Sequence, residues 1–437
     1  MNIALLGCGT VGAAVAGLLV NEKNLILRRS NAQINLKYIF DINFDYARKK
    51  GLPESLFCNN FDIIISDKTV DTVIELVGGI DIAKTFIQKS LDSKKNVVTA
   101  NKALMAQFGT ELLSLARKNN TSLAFEASCG GGIPIIRALT EGLLANDIHA
   151  LYGILNGTCN YILTSMTIEG KTYNQALKEA RKKGYAEADP YLDVSGIDTA
   201  HKLAILAALA FGQKIDFNRI PISGINDLHE LDVSYGQELG YVIKLLAIAK
   251  KQEKGLSLCT RPAFISKEHP LAWVSGPFNA VSVYGNTTGH TMYYGRGAGG
   301  RPTASAILAD LYSIAINSYS KTFNSFLWPD LAPTSKQLPV EEIYTRYYMR
   351  ITAKDAPGVL AKISACLGNK NISISSVLQK EPPPGTDPKF GVPVVITTHK
   401  AIEGNLRDAL KEIDELDVVK DKSICIEIVE EDEEKII

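Results

Sequence analysis

Neither sign of charge is in excess: 47 Lys and Arg are matched by 47 Asp and Glu, so no global field draws the chain to nucleic acid or to an anionic membrane surface. No two cysteines are spaced C-x-x-C. The seven (Cys8, Cys58, Cys129, Cys159, Cys259, Cys366, Cys425) are scattered and odd in number, which argues against a disulfide framework and for a reducing compartment. The N-terminus has no basic stretch and no small-residue cleavage site. No uninterrupted apolar run approaches the ~20 residues of a membrane span, and repeats and low-complexity tracts are missing. These absences predict a cytoplasmic protein with neither a nucleic-acid nor a membrane partner.

What is present is a chain of 437 residues, too long for one compact core, so two or three domains are expected. NIALLG opens it as a buried strand, 10–20 follow as a helix rich in Ala, Val and Leu, and further strands are predicted at 34–41, 61–65, 71–77, 96–100 and 122–127. Strand–helix alternation of this kind builds a mainly parallel sheet with helices on both faces, an α/β fold. From Gly130 the texture changes to Gly-rich turns, a long helical region over 173–211, and strand-like pieces at 263–266 and 280–285. This is an α+β unit with strand edges available for pairing. Residues 302–316 read as a helix that packs back on the first domain. The stretch FLWPDLAPTSKQLP (326–339) carries three prolines and no periodicity, the pattern of a linker. Beyond it come a strand, a helix, a strand, a PPPG turn at 382–385, a strand, a helix and a strand. This βαββαβ order is ferredoxin-like, and the acidic 430–434 reads as a frayed tail. The predicted domains are 1–129, completed by a returning helix near 302–320; 130–301; a linker over 326–345; and 346–430.

Gly7-Cys8-Gly9-Thr10-Val11-Gly12 follows a strand and opens a helix, the context the dinucleotide fingerprint needs. Gly7 permits the tight turn, Gly9 lets a pyrophosphate approach the backbone, and Gly12 lets helix and strand pack closely. The helix N-terminus offers free N–H groups to the phosphates. Asp41 ends the second strand, where a carboxylate binds the adenosine ribose and repels a 2′-phosphate, so NAD is favoured over NADP. A long connection over 21–32 separates it from the glycines. The alternative, a solvated strand-end aspartate with Arg48, Lys49 and Lys50 free to take a phosphate, stays open.

Lys102 follows the strand VVTAN and begins a short helical turn. A lysine there is disfavoured by the helix dipole unless an anion is near. The segment GYAEADPYLDVSGIDTAHK (184–202) is denser. Glu187, Asp189, Asp193 and Asp198 precede Lys202, and Asp198 and Lys202 are i and i+4 on one helix face. A surface ion pair is the default for that spacing, but the helix is strongly apolar after Lys202, which places the pair at the core margin. Carboxylates beside a lysine and a nicotinamide suit a free amino acid with a distal hydroxyl. The acids bind its ammonium, and a lysine with a lowered pKa takes the hydroxyl proton as hydride leaves the carbon.

ARKKGYAEADPYLDVSGIDTAHK (180–202), VTANKALMA (98–106), FEASCGGGIPII (125–136), GILNGTCNYIL (153–163) and YGRGAGGRPTASAILADL (294–311) together resemble the homoserine dehydrogenase family from the first strand to the linker. The resemblance implies a Rossmann-type dinucleotide-binding domain followed by an α+β catalytic and dimerisation domain, interconverting L-homoserine and L-aspartate 4-semialdehyde with NAD(P). It makes Lys202 the acid–base residue, with Lys102 assisting near the reacting oxygen and the nicotinamide. Asp198 would orient Lys202, and Glu187 and Asp193 would hold the substrate. It implies a monovalent cation, sodium, on the main-chain carbonyls of Glu126, Cys129, Gly131 and Ile133, and places Gly297 and Ala298 against the cofactor. DAPGVLAKISACLGNKNISISSVLQ (355–379) resembles an ACT domain, an amino-acid-binding module, with Asp355, Pro357 and Gly358 on its ligand side. Threonine is the effector this implies, and the assembly a homodimer or homotetramer.

Two rivals are separable. In a phosphorylating semialdehyde dehydrogenase, Cys129 would be a thioester-forming nucleophile, although a buried structural thiol suits that position better. A non-enzymatic sensor of redox cofactor and amino acids would not need Lys202, Asp198 and Glu187 together.

Overall fold

The computed structural model describes residues 1–22, 27–28, 32–381 and 391–430. The long connection expected over 21–32, the PPPG turn and the end of the acidic tail fall wholly or partly outside them.

The first unit alternates as expected. β1 (Asn2–Leu6) leads into α1 (Thr10–Asn21), then β2 (Asn35–Phe40), β3 (Phe57–Cys58), α2 (Phe61–Ser66), β4 (Thr72–Glu75), α3 (Asp81–Asp92), β5 (Asn96–Thr99), α4 (Lys102–Lys118) and β6 (Leu123–Ala124). The sheet order is β3-β2-β1-β4-β5-β6, parallel throughout. The order reverses beside β1, so the crevice for a dinucleotide lies at the carboxyl ends of the strands. Two expectations fail locally. FDIII (61–65) is helical: the Asn60 side chain accepts the Asp62 N–H as a cap, and Phe61 and Ile64 bury one face at i, i+3 spacing. An apolar run this short does not by itself distinguish strand from helix. The turn at Lys102 is the start of a helix of 17 residues, capped by the Asn101 side chain accepting the Leu104 N–H.

The second unit contributes β7 (Ile148–Ile154), α5 (Gly157–Glu169), α6 (Tyr173–Lys182), α7 (Tyr191–Val194), α8 (Ile197–Phe211), α9 (Glu230–Glu238), β8 (Tyr241–Gln252), β9 (Gly255–Ser266), β10 (Phe278–Gly285) and β11 (Gly289–Arg296). The helical region over 173–211 is thus three helices, broken around Pro190 and Gly196. Gly196 sits at φ 87° as it enters α8. α10 (Gly300–Ala315) then returns and packs along α1.

The C-terminal unit runs β12 (Tyr344–Ala353), α11 (Val359–Asn369), β13 (Ile374–Gln379), β14 (Val392–Thr398), β15 (Ala401–Ile402), α12 (Glu403–Asp414) and β16 (Ile424–Val429). It does not hang from a loose tether. β16 pairs parallel with β9 through Glu427↔Ala263, Ile428↔Phe264 and Val429↔Ile265, so one sheet runs β11-β10-β7-β8-β9-β16-β12-β14-β13 across both units. The connecting stretch is packed too: Trp328 and Leu338 are buried, and residues at 334 and 337 bridge to Lys214 and Leu256. The strands at 263–266 and 280–285 therefore offer no open edge, because β9 lies between β8 and β16 and β10 between β7 and β11. Edge strands cannot be recognised from a single strand's composition; here β11 and β13 are the outer ones. Among the described residues, no helix is long and apolar enough to cross a membrane.

Candidate active site

The glycine turn sits where β1 ends and α1 begins. A side chain at Gly12 would meet the Gly7 carbonyl at 2.0 Å and one at Gly7 the Leu76 carbonyl at 2.4 Å, whereas the space over Gly9 is open. No side chain caps α1. Its first N–H groups, at Thr10, Val11 and Gly12, therefore face that opening, which fits a pyrophosphate. Gly300, which begins α10, would bring a Cβ within 3.0 Å of the Thr10 carbonyl, so the two helix starts adjoin. Asp41 follows β2 and turns back: its Oδ2 accepts the Cys8 N–H at 2.6 Å and its Oδ1 the Ile42 N–H at 2.7 Å. Arg48 is already committed to Asp45 and Glu54.

On the same edge of the parallel sheet, β5 delivers Lys102 at the first position of α4. Its Nζ lies 2.5 Å from Asp198 Oδ1, across the boundary between the two units. Asp198 is on the first turn of α8 and is 5% exposed at its side chain; its Oδ2 accepts from Lys202 Nζ at 2.8 Å, the i, i+4 pair read from the sequence. Lys202 also donates to the Leu155 carbonyl at 2.6 Å. Burial works to raise the Asp198 pKa, but Lys202 and Lys102 overcome it and hold the carboxyl well below the usual range. Burial also opposes the Lys102 charge, yet Asp198 outweighs it and raises that pKa. A lysine with a lowered pKa is therefore not what Lys102 provides, because a carboxylate sits on it.

Asp193, on α7, joins the cluster through Asn156, whose amide nitrogen donates to Asp193 Oδ1 at 2.7 Å and Asp198 Oδ2 at 2.8 Å. Thr158 Oγ1 is 2.9 Å from Asp193 Oδ2. Glu187 is different. It is exposed, and among the described residues its side chain makes no ion pair or hydrogen bond, so the structure does not bring it into the cluster.

The loop 126–133 runs beneath. Its Gly131 touches the Gly297 and Ala298 backbone so closely that a Cβ would sit 2.6 Å from Gly297, and Gly132 N–H donates to the Arg296 carbonyl. The Glu126 side chain accepts the Ile136 and Arg137 N–H groups, and its own N–H donates to Asp310. Burial pushes Glu126 up to about 7 and, with Glu126 beside it, Asp310 up to about 8. Among the described residues the carbonyls of buried Cys129 and Gly131 accept no hydrogen bond. Carbonyls without a donor suit a small cation, whereas those of Glu126 and Ile133 accept the Cys129 and Ile135 N–H groups. The Cys129 thiol is fully buried and pushed by burial up to about 12, which disqualifies it as a nucleophile.

Sequence reasoning missed Asn156, Thr158, Arg137 and Asp310. For Asn156 a signal was present: an Asn-Gly pair at the strand-to-helix junction of GILNGTCNYIL, the position where an N-cap sits. In the C-terminal unit Asp355, Pro357 and Gly358 are exposed on the loop entering α11. Gly358 is at φ 84°, and no side chain caps the helix.

Three family models match the chain: "Homoserine dehydrogenase, NAD binding domain" over residues 7–126, "Homoserine dehydrogenase" over 134–312 and "ACT domain" over 347–418. The chain is 41% identical over 424 residues to a homoserine dehydrogenase of Neisseria gonorrhoeae, covering 96% of each. Among solved structures, a homoserine dehydrogenase from Thiobacillus denitrificans superposes with a TM-score of 0.91 at 40% identity, over 98% of both chains. A hyperthermophilic archaeal homoserine dehydrogenase in complex with NADPH superposes at 0.60 with 28% identity, over 72% of this chain and 98% of that one.

Proposed function

We propose a mechanism from one premise: the chain belongs to the homoserine dehydrogenase family, oxidoreductases that use a nicotinamide cofactor on a small-molecule substrate. The observation that carries the mechanism is the Asp198 carboxylate held between Lys102 and Lys202 on the sheet edge that also carries the glycine turn. The bound nicotinamide supplies a hydride donor or acceptor. Asp193, with Glu187 from the exposed loop, binds the ammonium of L-homoserine or L-aspartate 4-semialdehyde. Lys202 takes the hydroxyl proton in oxidation and returns a proton to the aldehyde oxygen in reduction. Its contacts with Leu155 and Asp198 fix its direction and leave one ammonium proton for the substrate. Lys102 lies against the same oxygen, where its charge stabilises developing alkoxide. Asp198 orients both lysines. A direct test is oxidation of NAD(P)H by aspartate semialdehyde; no turnover would overturn the assignment.

Around that centre, Gly7, Gly9, Thr10, Val11, Gly12, Gly297 and Ala298 form the cofactor cradle, with Asp41 at the ribose favouring NAD. The carbonyls of Glu126, Cys129, Gly131 and Ile133 would hold sodium, which braces the loop under Gly297. The domains divide at 1–129 with the returning helix, 130–301, a connection over 326–345, and 346–430. The enzyme works in the cytoplasm as a homodimer or homotetramer; exposed Met292 and Tyr294 on outer strand β11 supply apolar contact area. Light scattering showing a monomer at assay concentration would refute that assembly.

The ACT domain senses threonine, with the carboxylate on the free N–H groups behind Asp355, Pro357 and Gly358. Regulation requires unequal binding to two states, with a coupling of ~5–150-fold. Threonine should inhibit the full chain and not one truncated after the connection. Because β16 completes a sheet with β9, the truncated chain must first be shown to bind cofactor normally. Equal sensitivity in both would place the effector elsewhere.

A further inference from the structure

Asn156 stands at the junction of β7 and α5, is 5% exposed, and uses every polar atom of its side chain. The carbonyl oxygen caps α5 by accepting the Cys159 N–H at 2.9 Å. The amide nitrogen spends one hydrogen on Asp193 and the other on Asp198. Capping alone does not require this residue, since Asp and Ser cap as well as Asn. Among side chains short enough for the position, only asparagine offers an acceptor and two donors together. Aspartate would put a third carboxylate between two others, and serine has a single hydrogen to give.

The two acceptors belong to different jobs. Asp198 lies between the lysines, whereas Asp193 sits on the preceding helix, near Thr158 Oγ1, whose single hydrogen is shared with the closer Tyr185 carbonyl. The residue before Asn156 is Leu155, whose carbonyl receives Lys202. One dipeptide at the end of a rigid strand therefore references the acid–base lysine, its orienting carboxylate and the ammonium-binding carboxylate to a single backbone point. We propose that Asn156 is a positioning residue that sets the separation between the substrate's ammonium site and its reacting oxygen. This role rests on the reading of Lys202 and Asp193 given above. The amide touches no reacting atom. Its effect passes through Asp193 and Asp198, each of which accepts one of its amide hydrogens.

Asn156→Asp and Asn156→Ser both keep the helix cap and differ in donors. Charge-assisted hydrogen bonds of this kind are worth roughly 10- to 100-fold each, so N156D should lose ~100-fold or more in kcat/KM for homoserine, and N156S less. N156D, which buries a further carboxylate beside two others, should also lower the melting temperature, whereas N156S should leave cofactor affinity and melting temperature near wild type. A cycle with Asp193→Asn supplies the readout that a purely structural role would not move. If Asn156 acts through Asp193, the double variant loses less than the product of the single losses. N156D within a few-fold of wild type, or strictly multiplicative losses, would overturn the proposal. If N156D does not bind cofactor, the N156S arm of the same cycle decides. Lys202→Ala, run alongside, keeps the two ideas apart. Turnover surviving in that variant defeats the underlying reading, whereas an inactive K202A with a fully active N156D defeats only the role of Asn156.

Discussion

Two kinds of buried charge cluster join parts of the molecule, one at the docked C-terminal unit and one at the active site, and they are built differently. Where the C-terminal unit docks, Asp232 on α9 has both oxygens taken by Arg350 of β12, at 2.7 and 2.9 Å, and Tyr348 adds its hydroxyl. Arg261 of β9 likewise meets Glu403 at 2.9 Å and Glu427 at 3.5 Å. The Asp232–Arg350 pair is closed: fork-to-carboxylate geometry satisfies acceptors and donors at once. At the active site one carboxylate serves two lysines and an amide, and Lys102 keeps 43% of its side chain exposed. Ammonium protons remain unspent there. A satisfied cluster holds two elements together, while one with donors to spare is set for a ligand.

The largest effect should come from the open cluster and should touch chemistry alone. Lys202→Ala removes proton transfer, so turnover should fall ~10²–10⁴-fold with cofactor affinity nearly unchanged, as read by steady-state kinetics and nucleotide titration. Asp198→Asn should be milder, since the amide still positions Lys202. Near wild-type turnover in K202A would erase the distinction between the clusters.

The closed cluster should respond in the opposite currency. Arg350→Leu strands Asp232, whose side chain is 1% exposed, and breaking a buried pair from one side costs about 3–5 kcal/mol. Denaturant or thermal unfolding should show that loss in the C-terminal unit, while kcat of the folded enzyme stays within a few-fold. Replacing both partners, Asp232→Leu with Arg350→Leu, should recover most of the stability. A single variant as stable as wild type would mean that the pair does not fasten the domain.

The same contrast explains what was legible in the sequence. Local, periodic features could be read directly: the glycine turn, the strand–helix alternation of the first unit, the βαββαβ tail and the i, i+4 spacing of Asp198 and Lys202. What escaped depends on distant partners. FDIII became a helix because a cap at Asn60 and two buried residues outweighed its β-branched composition. The edges expected at 263–266 and 280–285 are each covered on one side by a strand far away in sequence, β16 and β7. Lys102 reaches Asp198 across 96 positions, and no local pattern encodes that meeting. Asn156 carries no local mark of its second role, because its two acceptors lie on other helices.

The smallest expected effect concerns cofactor choice, where Asp41 belongs partly to each kind of cluster. Its carboxylate is structural, since Cys8, Ile42 and Asn43 N–H groups all donate to it, yet it stands where a ribose would add a further donor. Asp41→Ser is too short to reach Cys8, so it should loosen the glycine turn and weaken NAD and NADP alike. The ratio of their kcat/KM values cancels that shared loss. What remains is the ribose hydrogen bond and the repulsion of a 2′-phosphate, and removing both should shift the ratio toward NADP by ~10-fold, or ~1.4 kcal/mol. Arg48 will contribute little to the gain, being held by Asp45 and Glu54. An unchanged ratio beside a lower affinity for both cofactors would leave Asp41 as a brace for the turn alone.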